Sequence, residues 1–168
     1  DKDDNLWIGT EGGGLNYYNR RTREFKWYRP QEGRNSISHN NVKALYYDAD
    51  KEIIWIGTHL GGLNKLDIRS GHFTHYRMEE GNPNTLPSDI IRDIIPYKSL
   101  LIIATQNGVC LFDPANGQCQ QLFKDSKEGK SIKMVADVTF DSEGTLWIAA
   151  TGEGVFSYRF DTCKLTNY

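Results

Sequence analysis

The sequence is poor in several features that would point to particular functions. It has no basic block: 20 Lys and Arg face 22 Asp and Glu, for a formal net charge of −2. That excludes the electrostatic footprint of a nucleic-acid binder. Its longest purely apolar run is residues 100–104, far short of the roughly 20 residues a membrane-spanning helix needs. No sustained 3.6-residue apolar stripe occurs, so almost no helix is expected. Cysteine is limited to Cys110, Cys119 and Cys163. None lies in a CxxC pair, and the odd count excludes a fully paired disulfide framework. Cys110 and Cys119 can pair only if a hairpin brings them opposite one another; otherwise they read as small buried residues.

Catalytic signatures are also missing. The four histidines are His39, His59, His72 and His75. His72 and His75 straddle a turn and a strand start, with no HExxH helix, so no metal site is expected. There is no GxSxG or P-loop motif in its required context. Gly12-Gly13-Gly14 precedes a strand, so it does not cradle phosphate at a helix start. Glu79-Glu80 reads as solvated loop charge. No catalytic residue, metal or cofactor is assigned. The chain opens on Asp1-Lys2-Asp3-Asp4-Asn5, which has no signal-peptide pattern and lacks an initiator methionine. A piece of a longer protein is expected.

What the sequence does have is repetition. "LWIGTEGGGLNYY" begins at Leu6, and "IWIGTHLGGLNKL" begins at Ile54. A weaker copy, "LIIATQNGVCLFD", begins at Leu101, and a fourth, "LWIAATGEGVFSYRFD", at Leu146. Trp7, Trp55, Ile102 and Trp147 occupy the same place in the four copies. Each copy has an apolar strand, a glycine-containing turn, a second strand, a polar turn and a third strand. A long polar loop then leads to a fourth strand at 42–47, 90–96 and 135–140. Period-two alternation broken by turn residues is the strand and hairpin signature.

Four antiparallel strands per 45-odd residues make the unit of a β-propeller blade. The fold class expected is therefore all-β: four propeller blades of four-stranded antiparallel sheet, with the first lacking its innermost strand. They form one unit over 1–168, with blades at about 1–29, 40–77, 88–123 and 134–168. Trp7, Trp55 and Trp147 are expected to fill the space between adjacent sheets. Gly13, Gly14, Gly61 and Gly62 are expected to permit tight turns and close backbone approach. Asp48 and Asp141, with Asp1, are expected to form Asx turns ahead of the repeated strand. An arc of blades leaves apolar faces at its ends, so self-association through blade edges or closure into a small ring is expected.

The motifs resemble the two-component regulator propeller repeat. "NSISHNNVKALYYDADKEIIWIGTHLGGLNKLDIRSGHFTHY", Asn35 to Tyr76, carries the resemblance most fully. Asn84 to Asp113 is a degenerate copy, and Lys130 to Tyr158 keeps Trp147 but has Ala149-Ala150-Thr151 where Gly-Thr is usual. The resemblance implies part of the periplasmic sensor of an inner-membrane hybrid histidine kinase of Bacteroidetes. Such sensors detect glycan-derived oligosaccharides and signal to polysaccharide-utilisation genes. It implies as partners an oligosaccharide and the rest of the sensor propeller, with neither nucleic acid nor membrane contacted by this part.

Ligand contacts are expected on the rim that joins the turn between the first two repeat strands to the long loops. Candidates are Glu11, His59, Gln106, Asn107 and Glu153, beside Thr10, Thr58, Thr105 and Thr151. Of Trp27 and Tyr28, one must point outward. Two other readings stand beside the sensor. One is an architectural or protein-interaction propeller with no small ligand. The other is a propeller enzyme, which needs axial acid, base or cation ligands that the sequence does not offer.

Overall fold

The computed structural model describes residues 1–124, 129 and 132–168. Lys130-Ser131, where the fourth blade's motif copy begins, lie outside the described residues. Among the described residues there are fifteen strands and no α-helix. The first sheet is β1 (Leu6–Thr10), β2 (Gly14–Asn19) and β3 (Glu24–Tyr28). The second is β4 (Val42–Asp48), β5 (Ile53–Thr58), β6 (Leu63–Asp67) and β7 (His72–Tyr76). The third is β8 (Ile91–Tyr97), β9 (Leu100–Thr105), β10 (Gly108–Phe112) and β11 (Cys119–Gln121). The fourth is β12 (Val135–Phe140), β13 (Leu146–Ala150), β14 (Gly154–Arg159) and β15 (Lys164–Asn167). Each sheet is an antiparallel meander in chain order, and β1, β4, β8 and β12 lie in succession beside one another.

Register fixes which face meets which neighbour. In β5, Trp55 and Gly57 point one way, and Ile54, Ile56 and Thr58 the other, because strand side chains alternate. A Cβ on Gly57 would lie 2.5 Å from Ile91 Cγ2 of the third sheet. The Trp55 face therefore looks forward, along the chain, and Trp55 is 1% exposed. It packs against Phe112 of the third sheet at 5.3 Å and Tyr76 of its own at 6.0 Å between ring centroids. Gly9 likewise abuts Val42 of the second sheet, and Trp7 packs into the cluster of Leu15, Val42, Ile56 and Phe73. Ile102 and Ala104 face Val135, Val138 and Ile148. Each of the first three blades thus buries its forward face on the next.

The arc is open. Leu15, Leu63, Val109 and Val155 share one register position. The first three are buried, whereas Val155 is 42% exposed. The backward face of the first blade is bare in the same way: Leu6, Ile8, Phe25 and Trp27 are exposed, Trp27 by 60%. Their counterparts Ile54, Ile56 and Phe73 are buried. Tyr28 points the other way, onto Trp7 and Phe73.

The turns follow their side chains. Asp48, Asp141 and Asp1 each accept backbone N–H groups within their own turn, from Lys51, from Glu143 and Thr145, and from Asp3 and Asn5. Asp141 also accepts the Trp147 indole N–H at 2.8 Å. The outer strand of the third blade is shorter than the run 119–123 suggests. It stops at Gln121, and Phe123 adopts φ +65°, turning the chain away.

Gly62 has φ +70°, and a Cβ there would stand 2.3 Å from the Tyr76 carbonyl oxygen. Gly12 has φ +85° but nothing within 4 Å. Gly12→Ala should therefore cost about 1 kcal/mol, the left-handed penalty alone, and Gly62→Ala more than about 2 kcal/mol because strain and clash add. Denaturant unfolding of the two variants checks this, and equal losses would contradict it.

Candidate functional site

The rim where the inner strands begin is tied together by backbone hydrogen bonds between the short turns and the long lead-in loops. Gly12 N donates to Asn41 Oδ1 at 2.7 Å, and Gly14 N to the Asn40 carbonyl at 2.8 Å, linking the first blade to the second. Gly62 N donates to Asp89 O, and Met134 N to Gln106 O, linking the later blades. His59 N and Gln106 N pair with Asn41 O and Ile90 O inside their own blades. This ladder holds the turn side chains at fixed heights around the axis.

The three complete inner strands share a second feature. The β4–β5, β8–β9 and β12–β13 pairings each slip by one residue, between Val42 and Ala44, Ile91 and Asp93, and Val135 and Asp137. A bulge leaves one residue unpaired and re-aims its side chain. The residues in question are Lys43, Arg92 and Ala136. Lys43 Nζ lies 3.4 Å from Glu11 Oε1 of the preceding blade. Arg92 Nη2 donates to Gln106 Oε1 at 3.0 Å. Arg92 is half-buried and has no carboxylate partner among the described residues.

Two buried polar atoms at this rim lack a protein partner, Asn40 Oδ1 and His59 Nδ1. The mouth over the first three blades therefore gathers Glu11, Asn40, Lys43, His59, Arg92 and Gln106. It offers donors, acceptors and a guanidinium that donates to the neutral Gln106 amide. Asn107 is occupied locally: its Nδ2 donates to Pro87 O and its backbone N to Thr105 Oγ1. Glu153 stands on the terminal blade in an exposed turn closed by its N–H to Ala150 O. Thr58 and Thr105 are buried, each donating its hydroxyl to a turn carbonyl. Among the described residues no cluster of His, Cys, Asp and Glu has metal-binding geometry.

Lys43, Arg92 and Asn40 are not singled out by the repeat motif. A signal for Arg92 exists in the apolar spacing: "IRDI" at 91–94, like "VADV" at 135–138 around Ala136, separates buried residues by three positions instead of two. Lys43 has none, since the buried Val42 and Ala44 flank it at the ordinary spacing.

A concavity of about 480 Å³ lies on the outer surface beside β11. Two of its side chains are engaged in turns: Asp113 accepts Ala115 N, and Asn116 accepts Gln118 N.

Below the mouth, Asp93 bridges two blades. Its Oδ1 accepts Ile94 N at 2.8 Å, and its Oδ2 accepts Val138 N of the fourth blade at 3.4 Å. Burial raises its proton affinity above the usual aspartate value, and the neighbouring Asp137 adds to the effect.

Four meandering sheets, three of four strands and the first of three, stacked face to face around an axis define a β-propeller, here an open arc of blades. Residues 36–59, spanning the lead-in loop and first two strands of the second blade, match the family model "Two component regulator propeller". No curated protein matches the chain. Among solved structures, the extracellular domain described as that of a hybrid two-component system from B. thetaiotaomicron superposes with TM-score 0.87 at 22% identity. It covers 100% of this chain and 23% of that chain. A second extracellular domain from B. thetaiotaomicron superposes with TM-scores of 0.79 and 0.75 in two structures, at 23% and 24% identity and the same coverage. It is described as part of a one-component system in one and of a hybrid two-component system in the other. The chain thus spans about a quarter of the length of the structures it matches.

A carboxyl group whose pKa the fold raises contributes stability that is complete below its unfolded pKa and lost as pH rises through its folded pKa. The stability of Asp93→Asn relative to wild type should therefore increase as pH rises through and above the usual aspartate range. Unfolding measured across that range checks it, and a difference that shrinks with rising pH would contradict it.

Proposed function

We propose that this chain is part of the extracytoplasmic sensor of a membrane-bound hybrid histidine kinase, and that the axial mouth takes part in recognising an oligosaccharide. The observation that carries the reading is the propeller match, at TM-score 0.87, to an extracellular domain described as belonging to a hybrid two-component system. The repeat at 36–59 supports it. The mouth suits the chemistry: sugar hydroxyls both donate and accept, and Glu11, Asn40, His59, Arg92 and Gln106 supply both roles. The role is binding, not turnover. Signal transfer then requires the ligand to bind one arrangement of the sensor more tightly than another, and the kinase output follows that population. The parent protein's kinase activity, periplasmic location and control of polysaccharide-utilisation genes are part of the same proposal.

The end faces favour a second reading. Leu6, Ile8, Phe25 and Trp27 at one end, and Val155 and Tyr168 at the other, are exposed large apolar groups. An architectural propeller that associates through these faces, without a small ligand, accounts for them.

Calorimetric titration with neutral and uronic-acid oligosaccharides separates the two. The sensor reading expects measurable binding of at least one probe and recovery of that probe intact after incubation. Arg92→Ala should weaken the binding about tenfold or more, the worth of a hydrogen bond to a charged group. Absence of binding to every probe, with a concentration-dependent rise in solution mass by light scattering, would favour the architectural reading instead.

A further inference from the structure

We propose that Cys110 and Cys119 are a disulfide-forming pair that staples the outer strand of the third blade. β10 and β11 are consecutive antiparallel strands, with Phe112 opposite Cys119 and Cys110 opposite Gln121. Cys110 and Cys119 therefore stand diagonally on one face, and their sulfurs are 3.3 Å apart. Both are buried in the seam with the second blade, in the same cluster as Trp55 and Phe112. A disulfide bond is about 2.05 Å long, so the sulfurs must close by about 1.2 Å. The strand that has to shift is the shortest in the molecule's described part, three residues at a sheet edge.

The reaction needs an oxidant, and the inference rests on the extracytoplasmic reading for its supply: a thiol–disulfide oxidoreductase in its disulfide form, or oxidised glutathione in vitro. One cysteine, as its thiolate, attacks the oxidant's S–S bond. A mixed disulfide forms and one oxidant sulfur leaves as thiolate. The second cysteine attacks the protein sulfur of that mixed disulfide, forming the Cys110–Cys119 bond and releasing the other oxidant sulfur. The pair loses two electrons and two protons, and the oxidant's disulfide becomes two thiols. Burial holds the Cys110 thiol well above its usual pKa. Cys119, on the three-residue edge strand, is the thiol that reaches the oxidant first while β11 is docking or peeled away.

The bond acts on the seam between blades. The turn between β10 and β11 leans on the second blade, since a Cβ on Gly117 would lie 2.7 Å from Tyr76 Cε1. Tyr76 in turn stacks edge-on against Phe112 at 4.8 Å. Closing the ring from Cys110 to Cys119 fixes that turn against Tyr76.

The test uses the chain with the exposed Cys163 removed as Cys163→Ser, so that intermolecular disulfides do not interfere. It is equilibrated in glutathione mixtures from fully reduced to fully oxidised, then denatured without reductant and treated with a thiol-alkylating reagent. The expected product in oxidising mixtures carries no alkyl group, is about 2 Da lighter than the dithiol, and yields a peptide linking residues 110 and 119. It also melts at a higher temperature than the reduced form. Double alkylation in every mixture, with circular dichroism showing a folded chain, would overturn the proposal. Cys119→Ala, a milder change than a polar substitution in this core, must show no loss of about 2 Da in any mixture, Cys110 being recovered alkylated or as its glutathione mixed disulfide; a loss of about 2 Da in that variant would also overturn it. Oxidation in vitro, with both thiols free in the intact protein isolated from its own cells, would uphold the pair and count against the extracytoplasmic reading.

Discussion

Everything in this molecule depends on the seam between one sheet and the next. A four-stranded sheet with two apolar faces cannot be stable alone in water. The chain solves this by giving each blade a forward face with one large group at its centre and a glycine or alanine beside it. Trp55 with Gly57 is the clearest case: the small residue lets Ile91 approach, and the indole fills the space beside Phe112 and Tyr76. Where Ile102 replaces the tryptophan, Ala104 replaces the glycine, and the gap is filled from the other side by Val135, Val138 and Phe156. The same register positions become exposed only where no further blade covers them.

The seam also sets the chemistry of the rim. Stacking brings the short turns of one blade against the lead-in loop of the next, and the inter-blade bonds from Gly14, Gly62 and Met134 record that contact. The bulges in β4, β8 and β12 sit just inside this ladder. They are a consistent device: the inner strand of each complete blade loses its pairing for one residue at the point where it meets the mouth. Lys43 and Arg92 are presented there at matching positions of neighbouring blades, one matched to a carboxylate and the other to an amide. The rim thereby carries polar groups at fixed positions, on a scaffold tied from blade to blade.

Much of the architecture is legible in the sequence because it repeats. Fifteen strands in four sheets follow from the period-two runs and from the recurring position held by Trp7, Trp55, Ile102 and Trp147, and the Asx turns follow from Asp48 and Asp141. The site is less legible. Glu11, His59 and Gln106 are recognisable as rim residues from their place in the turns. Lys43 and Arg92 are not, because a one-residue bulge shifts a side chain to a new direction without changing the strand's composition. The spacing in "IRDI" holds that information for Arg92, but only pairing with the next strand gives it meaning. The sulfur contact between Cys110 and Cys119 is of the same kind. The sequence allows a hairpin, and the register decides which pairs of side chains meet.

The account rests on position within the stack, not on the tryptophan as such. Trp55 lies in a covered seam, and Trp147 lies on a forward face with no blade beyond it. The direct test is to measure the unfolding free energies of Trp55→Ala and Trp147→Ala side by side. The account predicts a loss of about 3–5 kcal/mol for Trp55→Ala, as for a large aromatic removed from a packed core, and less than half of that for Trp147→Ala. Equal losses would mean that the two rings are equally enclosed, and would contradict an open arc stabilised blade upon blade.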